Sequence, residues 1–241
     1  ITDEAMERAR FALDHFVSAC RDYKVDQIHA FGTSALRDAK NGVEFKRFVH
    51  KNFSIDIDII AGKEEARLIY EGIRGIHTFD SLSCIMDIGG GSTEFIFADE
   101  NQVYQMESLN IGISRMLQLF NIPDYLNEKD IKQLEDFMDS HSEGLFNTHD
   151  TQVLIGAAGS FETFFQIYSK QTTYSDFSTH EIPLNELETI LNDLISSSLQ
   201  ERTANFWIPD YRRKMIHIAA VQTRWVIQKQ QITRCYFSPA A

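Results

Sequence analysis

"SCIMDIGGGSTEFIFADENQVY", residues 83–104, decides how this chain is read. An apolar run, Cys84 to Ile88, enters three consecutive glycines and leaves as a second apolar run, Phe95 to Ala98, which predicts two strands joined by a tight turn. Asp87 ends the first strand and Glu94 stands early in the second, so a hairpin brings both carboxylates to one mouth. Gly89, Gly90 and Gly91 carry no side chain to block approach to their backbone N–H groups, which can converge on an anion. Ser92 and Thr93 add hydroxyl donors. Acids beside such a turn suit a hydrated Mg²⁺ held next to a phosphate. The plainer reading is a loose hairpin whose acids face solvent; carboxylates on both sides of the turn favour the functional one.

Upstream of this stretch, "KEEARLIYEGIRGI" from Lys63 has helical spacing and "IDIDIIAG" from Ile55 alternates as a strand. A helix is predicted over roughly residues 42–52, "VDQIHAFGT" from Val25 reads as a buried strand, and Thr2 caps a helix over roughly residues 3–22. Downstream, a third strand "NQVYQMESL" is followed by helices at roughly 112–120 and 127–140. The strand "TQVLIGAAGS" then opens a further helix near Phe161 through a second glycine loop. "PLNELETILNDLISSSLQ" and "PDYRRKMIHIAAVQTRWVIQKQQ" read as helices and "ITRCYFS" as the last strand. This succession predicts α/β architecture. A boundary near Thr78 to Ser81 divides the chain into lobes 1–79 and 80–241.

Composition narrows the classes. With 241 residues, 43% hydrophobic and 24% charged, the chain has an ordinary globular balance, and no window reaches the roughly eighteen apolar residues of a membrane span. "ITDEAMERARFAL" reads as an acidic amphipathic helix without the features of a secretory signal, so a cytoplasmic protein is expected. The net charge of -12 repels nucleic acid at long range, and an anionic substrate has to be captured locally. Cys20, Cys84 and Cys235 are far apart and odd in number, which argues against disulfides and zinc. The eight histidines show no metal spacing, and His141, His149 and His217 read as structural or solvated.

"FGTSALRDAKNGVEF", "IIAGKEEARLIYEGI", "MDIGGGSTEFIF" and "LIGAAGSFET" stand in that order, and together they resemble the exopolyphosphatase and guanosine pentaphosphate phosphohydrolase family, a relative of actin, the sugar kinases and the large heat-shock chaperones. The resemblance spans nearly the whole chain. It implies two lobes of ribonuclease-H-like topology around a cleft and Mg²⁺-supported hydrolysis of phosphoanhydrides.

Carried over by motif, the resemblance makes Glu65 the catalytic carboxylate, a general base for water. Without the family, Glu64 and Glu65 read as first-turn acids complementing a helix dipole. Arg37 matches a phosphate-cleft arginine, whose planar guanidinium neutralises oxygens as charge develops; its plain reading is a surface ion pair. Asn41 is a candidate phosphate contact, while Thr33 and Ser34 shape the loop. Asp87 and Glu94 match the acids that hold Mg²⁺, largely through water, and Gly89, Gly90, Gly91 and Ser92 match the phosphate turn. Gly156, Gly159 and Ser160 resemble the second glycine loop, near base and ribose in nucleotide-binding relatives; helix N-capping by Ser160 explains them equally well.

The chain departs from the family in two places. The first signature, an Asp-Ile-Gly-Thr-Asn type hairpin, is absent, which implies a truncated N-terminal lobe. "YRRKMIHIAA" stands where an Arg-x-Asp-x-Ile pattern is usual, with Lys214 at the acidic position, and "CYFSPAA" matches the family's last strand. The expected partner is a phosphate chain, polyphosphate or guanosine pentaphosphate, with neither nucleic acid nor membrane; a homodimer is one assembly left open. The two substrates stay open, as does a sensor that binds phosphorylated nucleotides without turnover. A sugar or acid kinase is disfavoured because no acceptor-binding motif is seen.

Overall fold

A computed structural model describes residues 1–173 and 177–240; the final Ala241 of "CYFSPAA" lies outside them. The chain divides into two compact units, Ile1–Glu65 and Ala66–Ala241.

In the first unit, α1 (Asp3–Asp22) is capped by Thr2, whose hydroxyl accepts the Ala5 N–H at 3.2 Å. Strand β1 (Ala30–Gly32) leads through α2 (Ser34–Arg37) and α3 (Gly42–Phe53) to β2 (Ile57–Ile59), which pairs with β1 in parallel. Phe45, Val49, Ile55 and Ile57 form its core, and Met6, Ala9, Leu13 and Val17 of α1 pack against it to cover the apolar side of α3. Helix α4 (Gly62–Arg74) begins in this unit and crosses the division. The units part after Glu65, whereas the sequence suggested residues 79/80. The reason is the helical spacing of Ala66, Ile69, Tyr70 and Ile73, all buried against the sheet of the second unit.

That sheet has the order β5-β4-β3-β6-β8-β7, built from β3 (Ser83–Ile88), β4 (Thr93–Ala98), β5 (Val103–Leu109), β6 (Val153–Ala157), β7 (His180–Ile182) and β8 (Arg234–Ser238). Strands β3, β6 and β8 run parallel, and antiparallel β4–β5 and β7 complete the two sides. The run Cys84 to Met86 in the centre of β3 is continuously apolar because both faces of the strand are covered there. Ile85, Ile96 and Ile155 meet α4, while Met86, Phe95 and Leu154 enter the larger core under the helices of the opposite face. Those helices are α5 (Ile113–Phe120), α6 (Glu128–His141), α7 (Ala158–Ser169), α8 (Leu184–Ser196), the short α9 (Leu199–Ala204) and α10 (Ile216–Gln230). Helix α10 is buried nearly all round.

The helix predicted from Pro209 begins only at Ile216. Arg202, itself buried, donates through Nε to the Arg213 carbonyl at 2.7 Å and so removes that acceptor from a helical ladder. Residues 210–215 form turns instead.

The same arginine bears on acid stability. Burial, aided by the nearby Arg202 charge, pushes the pKa of His217 down to about 4. An unfolded histidine titrates near 6.5, so the unfolded state takes up the proton first. Stability is therefore expected to fall as pH drops below about 6.5 and to level off below about 4, a loss of about 3 kcal/mol. Denaturant melts of His217→Gln should lose that part of the acid limb; a limb as steep as wild type overturns the assignment.

Candidate active site

Two groups of site residues lie in the two units. In the first unit, Glu65 sits in the first turn of α4 and Arg37 at the end of α2. Arg37 is fixed by donating through Nη1 to the Ile60 carbonyl at 2.8 Å, and the same nitrogen stands 3.6 Å from Glu65 Oε2. That separation is an ion pair without a hydrogen bond, and Glu65 Oε2 is buried with no hydrogen-bond partner among the described residues. Burial raises the pKa of Glu65, and Arg37 and Thr33 hold it back only in part. A carboxylate that is desolvated, short of donors and kept charged by one cation is well prepared to accept a proton. Asn41 stands at the cap position of α3, where its side chain makes no capping bond.

In the second unit the glycine turn is the predicted hairpin. Ile88 pairs with Thr93, and Asp87 lies directly opposite Glu94. Gly89 N–H closes the turn on Ser92 O at 3.0 Å. The carbonyls of Gly89, Gly90 and Gly91 accept from Ile113, Arg115 and Gly112 N–H groups at 3.0, 3.0 and 3.4 Å, so the turn is seated on the start of α5. No peptide in the described residues is cis, and in a trans peptide each carbonyl opposes the next N–H. The N–H groups of Gly90, Gly91 and Ser92 are therefore directed away from α5, and among the described residues no backbone carbonyl takes them up. Successive outward N–H groups make an anion-binding concavity. Gln222 of α10 braces its base, donating to Thr93 Oγ1 at 3.0 Å and to Ile111 O at 3.3 Å.

Glu94 is 1% exposed, and its Oε1 accepts from Ser108 Oγ at 2.6 Å. Register puts Ser108, Glu94 and Asp87 in one row across β5, β4 and β3. These donors are all oxygens, the set a hard cation such as Mg²⁺ prefers. Among the described residues no three His, Cys, Asp or Glu side chains group as a metal site, so an ion here would draw most ligands from water and phosphate, as Mg²⁺ commonly does. The donor set fits on those terms.

The second glycine loop divides by role. Gly156 is a packing residue: a Cβ there would stand 1.9 Å from the Phe161 ring, and the position lies buried within the β6 ladder. Gly159 has φ +45° and ψ -115°, a backbone that needs glycine, and turns the chain from β6 into α7. Ser160 is buried just after the kink at Gly159, and the cap position before α7, Ala157, carries no side-chain bond. Gly159 and Ser160 do meet the first turn. With Gly90, Ser114, Tyr211 and Arg212 they line a pocket of about 200 Å³. Arg212 donates to Thr163 Oγ1 at 2.8 Å, pairs with Glu162 at 3.3 Å and covers the Tyr211 ring at 5.0 Å.

Sequence reading passed over Ser108, Arg115 and Arg212. The first was hidden by a register shift between Phe97 and Ala98: regular counting from the β4–β5 turn puts Glu107 opposite Glu94, and the shift brings Ser108 there instead. The other two join the turn through tertiary contacts that no local spacing reveals.

The model of the Ppx/GppA phosphatase family matches residues 1–235. Among solved structures, an exopolyphosphatase from Cytophaga hutchinsonii is similar at 27% identity and a TM-score of 0.95, over 100% of this chain and 80% of its own. An exopolyphosphatase-like protein follows at 24% and 0.89, over 100% and 82%. A Ppx/GppA family member from Aquifex aeolicus gives 20% and 0.79, over 100% and 79%. These likenesses bear out the α/β, actin-like ATPase fold class read from the sequence.

Proposed function

This chain belongs to the Ppx/GppA phosphatase family, and from that premise we propose that it is a phosphoanhydride hydrolase releasing terminal orthophosphate from a phosphate chain. The observation that carries the reading is Glu65, whose buried Oε2 has no hydrogen-bond donor among the described residues and whose pKa burial raises. In the proposed reaction a Glu65 oxygen takes a proton from water as the water oxygen bonds to the terminal phosphorus. The bridging P–O bond breaks, and its electron pair leaves with the shortened chain. Arg37 offsets charge on the phosphoryl oxygens. The N–H groups of Gly90, Gly91 and Ser92, for their part, bind non-reacting phosphate oxygens. Asp87 and Glu94 would hold Mg²⁺, which when bound neutralises phosphate charge.

Polyphosphate is the leading substrate, in keeping with the activity named for the Cytophaga hutchinsonii relative. The pocket beside Gly90, with the Tyr211 ring and Arg212 at its wall, favours guanosine pentaphosphate as a second substrate. The test is orthophosphate release from each, with and without Mg²⁺. Release from either supports the hydrolase and ranks the substrates; binding without release points to a phosphate sensor and overturns the reading. Asp87→Ala and Glu94→Ala should each raise the Mg²⁺ concentration for half-maximal rate, and direct Mn²⁺ binding followed by electron paramagnetic resonance should weaken in parallel. Unchanged metal dependence in both removes them as ligands.

A further inference from the structure

The outward N–H groups bind phosphate only if their peptide planes are held, and the three planes are not held equally. Gly89 O and Gly90 O each accept a backbone bond of 3.0 Å from α5, whereas Gly91 O accepts one of only 3.4 Å, from Gly112. The short bond to Gly91 O comes from a side chain: Arg115 Nε donates to it at 2.8 Å. Arg115 N–H meanwhile donates to Gly90 O, so one residue grips two successive planes, and its side chain fixes the plane that ends in Ser92 N–H.

We propose that Arg115 is a positioning residue for phosphate binding, acting through the Gly91–Ser92 peptide to keep the third N–H of the turn aimed at the substrate. This rests on the phosphate-gripping role proposed above for the turn. A residue whose main-chain N–H is bonded to Gly90 O and whose planar guanidinium is bonded through Nε to Gly91 O is anchored at both ends, which suits a strut. Loss of the strut frees one peptide plane to rotate and removes no reacting group, so binding should suffer more than the chemical step.

The probe is inorganic tripolyphosphate. Arg115→Met should raise KM about tenfold, the size of one charge-assisted or well-aligned hydrogen bond, with kcat within about threefold of wild type. Added ethylguanidinium should recover part of the KM. Arg115→Lys keeps the charge and most of the packing but has no Nε–H to give, and should show the same rise. In ¹⁵N spectra the Ser92 amide should shift on tripolyphosphate addition in wild type and shift less in either variant. An unchanged KM in a folded variant overturns the proposal, as does a joint fall of kcat and melting temperature that ethylguanidinium does not relieve. A wild-type protein that neither binds nor hydrolyses tripolyphosphate overturns the parent reading along with it, whereas an active wild type with an indistinguishable Arg115→Lys removes Arg115 alone.

Discussion

Glu65→Gln is expected to lose about 10³- to 10⁴-fold in kcat while KM changes by less than about threefold. Glutamine keeps the shape and the contact with Arg37 but cannot accept the proton of the attacking water. The wild-type kcat should also fall toward acid with an apparent pKa above the ordinary glutamate value, because burial raises that of Glu65. Stability should move the other way. A carboxyl whose folded pKa is raised binds its proton more tightly folded than unfolded, so the protein loses stability as pH rises through the folded pKa. The neutral amide escapes that loss, and the variant's melting temperature at neutral pH should equal or exceed that of wild type. Single-turnover phosphate release and thermal melts on one preparation check both. Near-normal turnover sinks the base assignment, and a deep fall in melting temperature would assign the lost activity to misfolding.

How much of the fold and the candidate site was legible follows from how far each signal reaches; spacing alone makes Glu65 a first-turn acid, and only the family motif singles it out. The hairpin at 83–104 declares itself because strand, turn and acids are contiguous, and its register alone pairs Asp87 with Glu94. Helix α4 was equally plain, but an amphipathic stripe names no partner. Only the fold shows that Ala66 to Ile73 serve the sheet of the second unit, which is why the division falls after Glu65. Gly156 sits in sequence like a phosphate glycine and is instead the space a phenylalanine ring fills. The turns at 210–215 have helical composition; a carbonyl captured by Arg202, distant in sequence, interrupts them. Strand β7, of three residues, is too short to carry a period.

Gly112→Ala is expected to disable the phosphate turn without touching any group that reacts. The wild-type backbone at Gly112 has φ -59° and ψ 150°, which alanine adopts freely, so the effect is not one of backbone strain. It is steric. An added Cβ would stand 2.4 Å from the Gly91 carbonyl carbon and 2.5 Å from the carbonyl carbon and oxygen of Gly90. These are backbone atoms with no rotamer to swing aside, so either the turn or the start of α5 must move. A shift of about 1 Å in a positioned group can cost about 10²-fold in rate, and overpacking of this kind costs about 1–3 kcal/mol. The kcat/KM for tripolyphosphate should therefore fall about 10²-fold at a temperature where the variant is still folded. Gly75→Ala is the matched control, since its Cβ would meet nothing nearer than the Gly72 carbonyl oxygen at 3.4 Å. The control should keep wild-type kinetics. A Gly112→Ala enzyme with wild-type kcat/KM would mean that the close seating of the turn on α5 is not what shapes the phosphate site, and the positioning argument for Arg115, which depends on that seating, would fall with it.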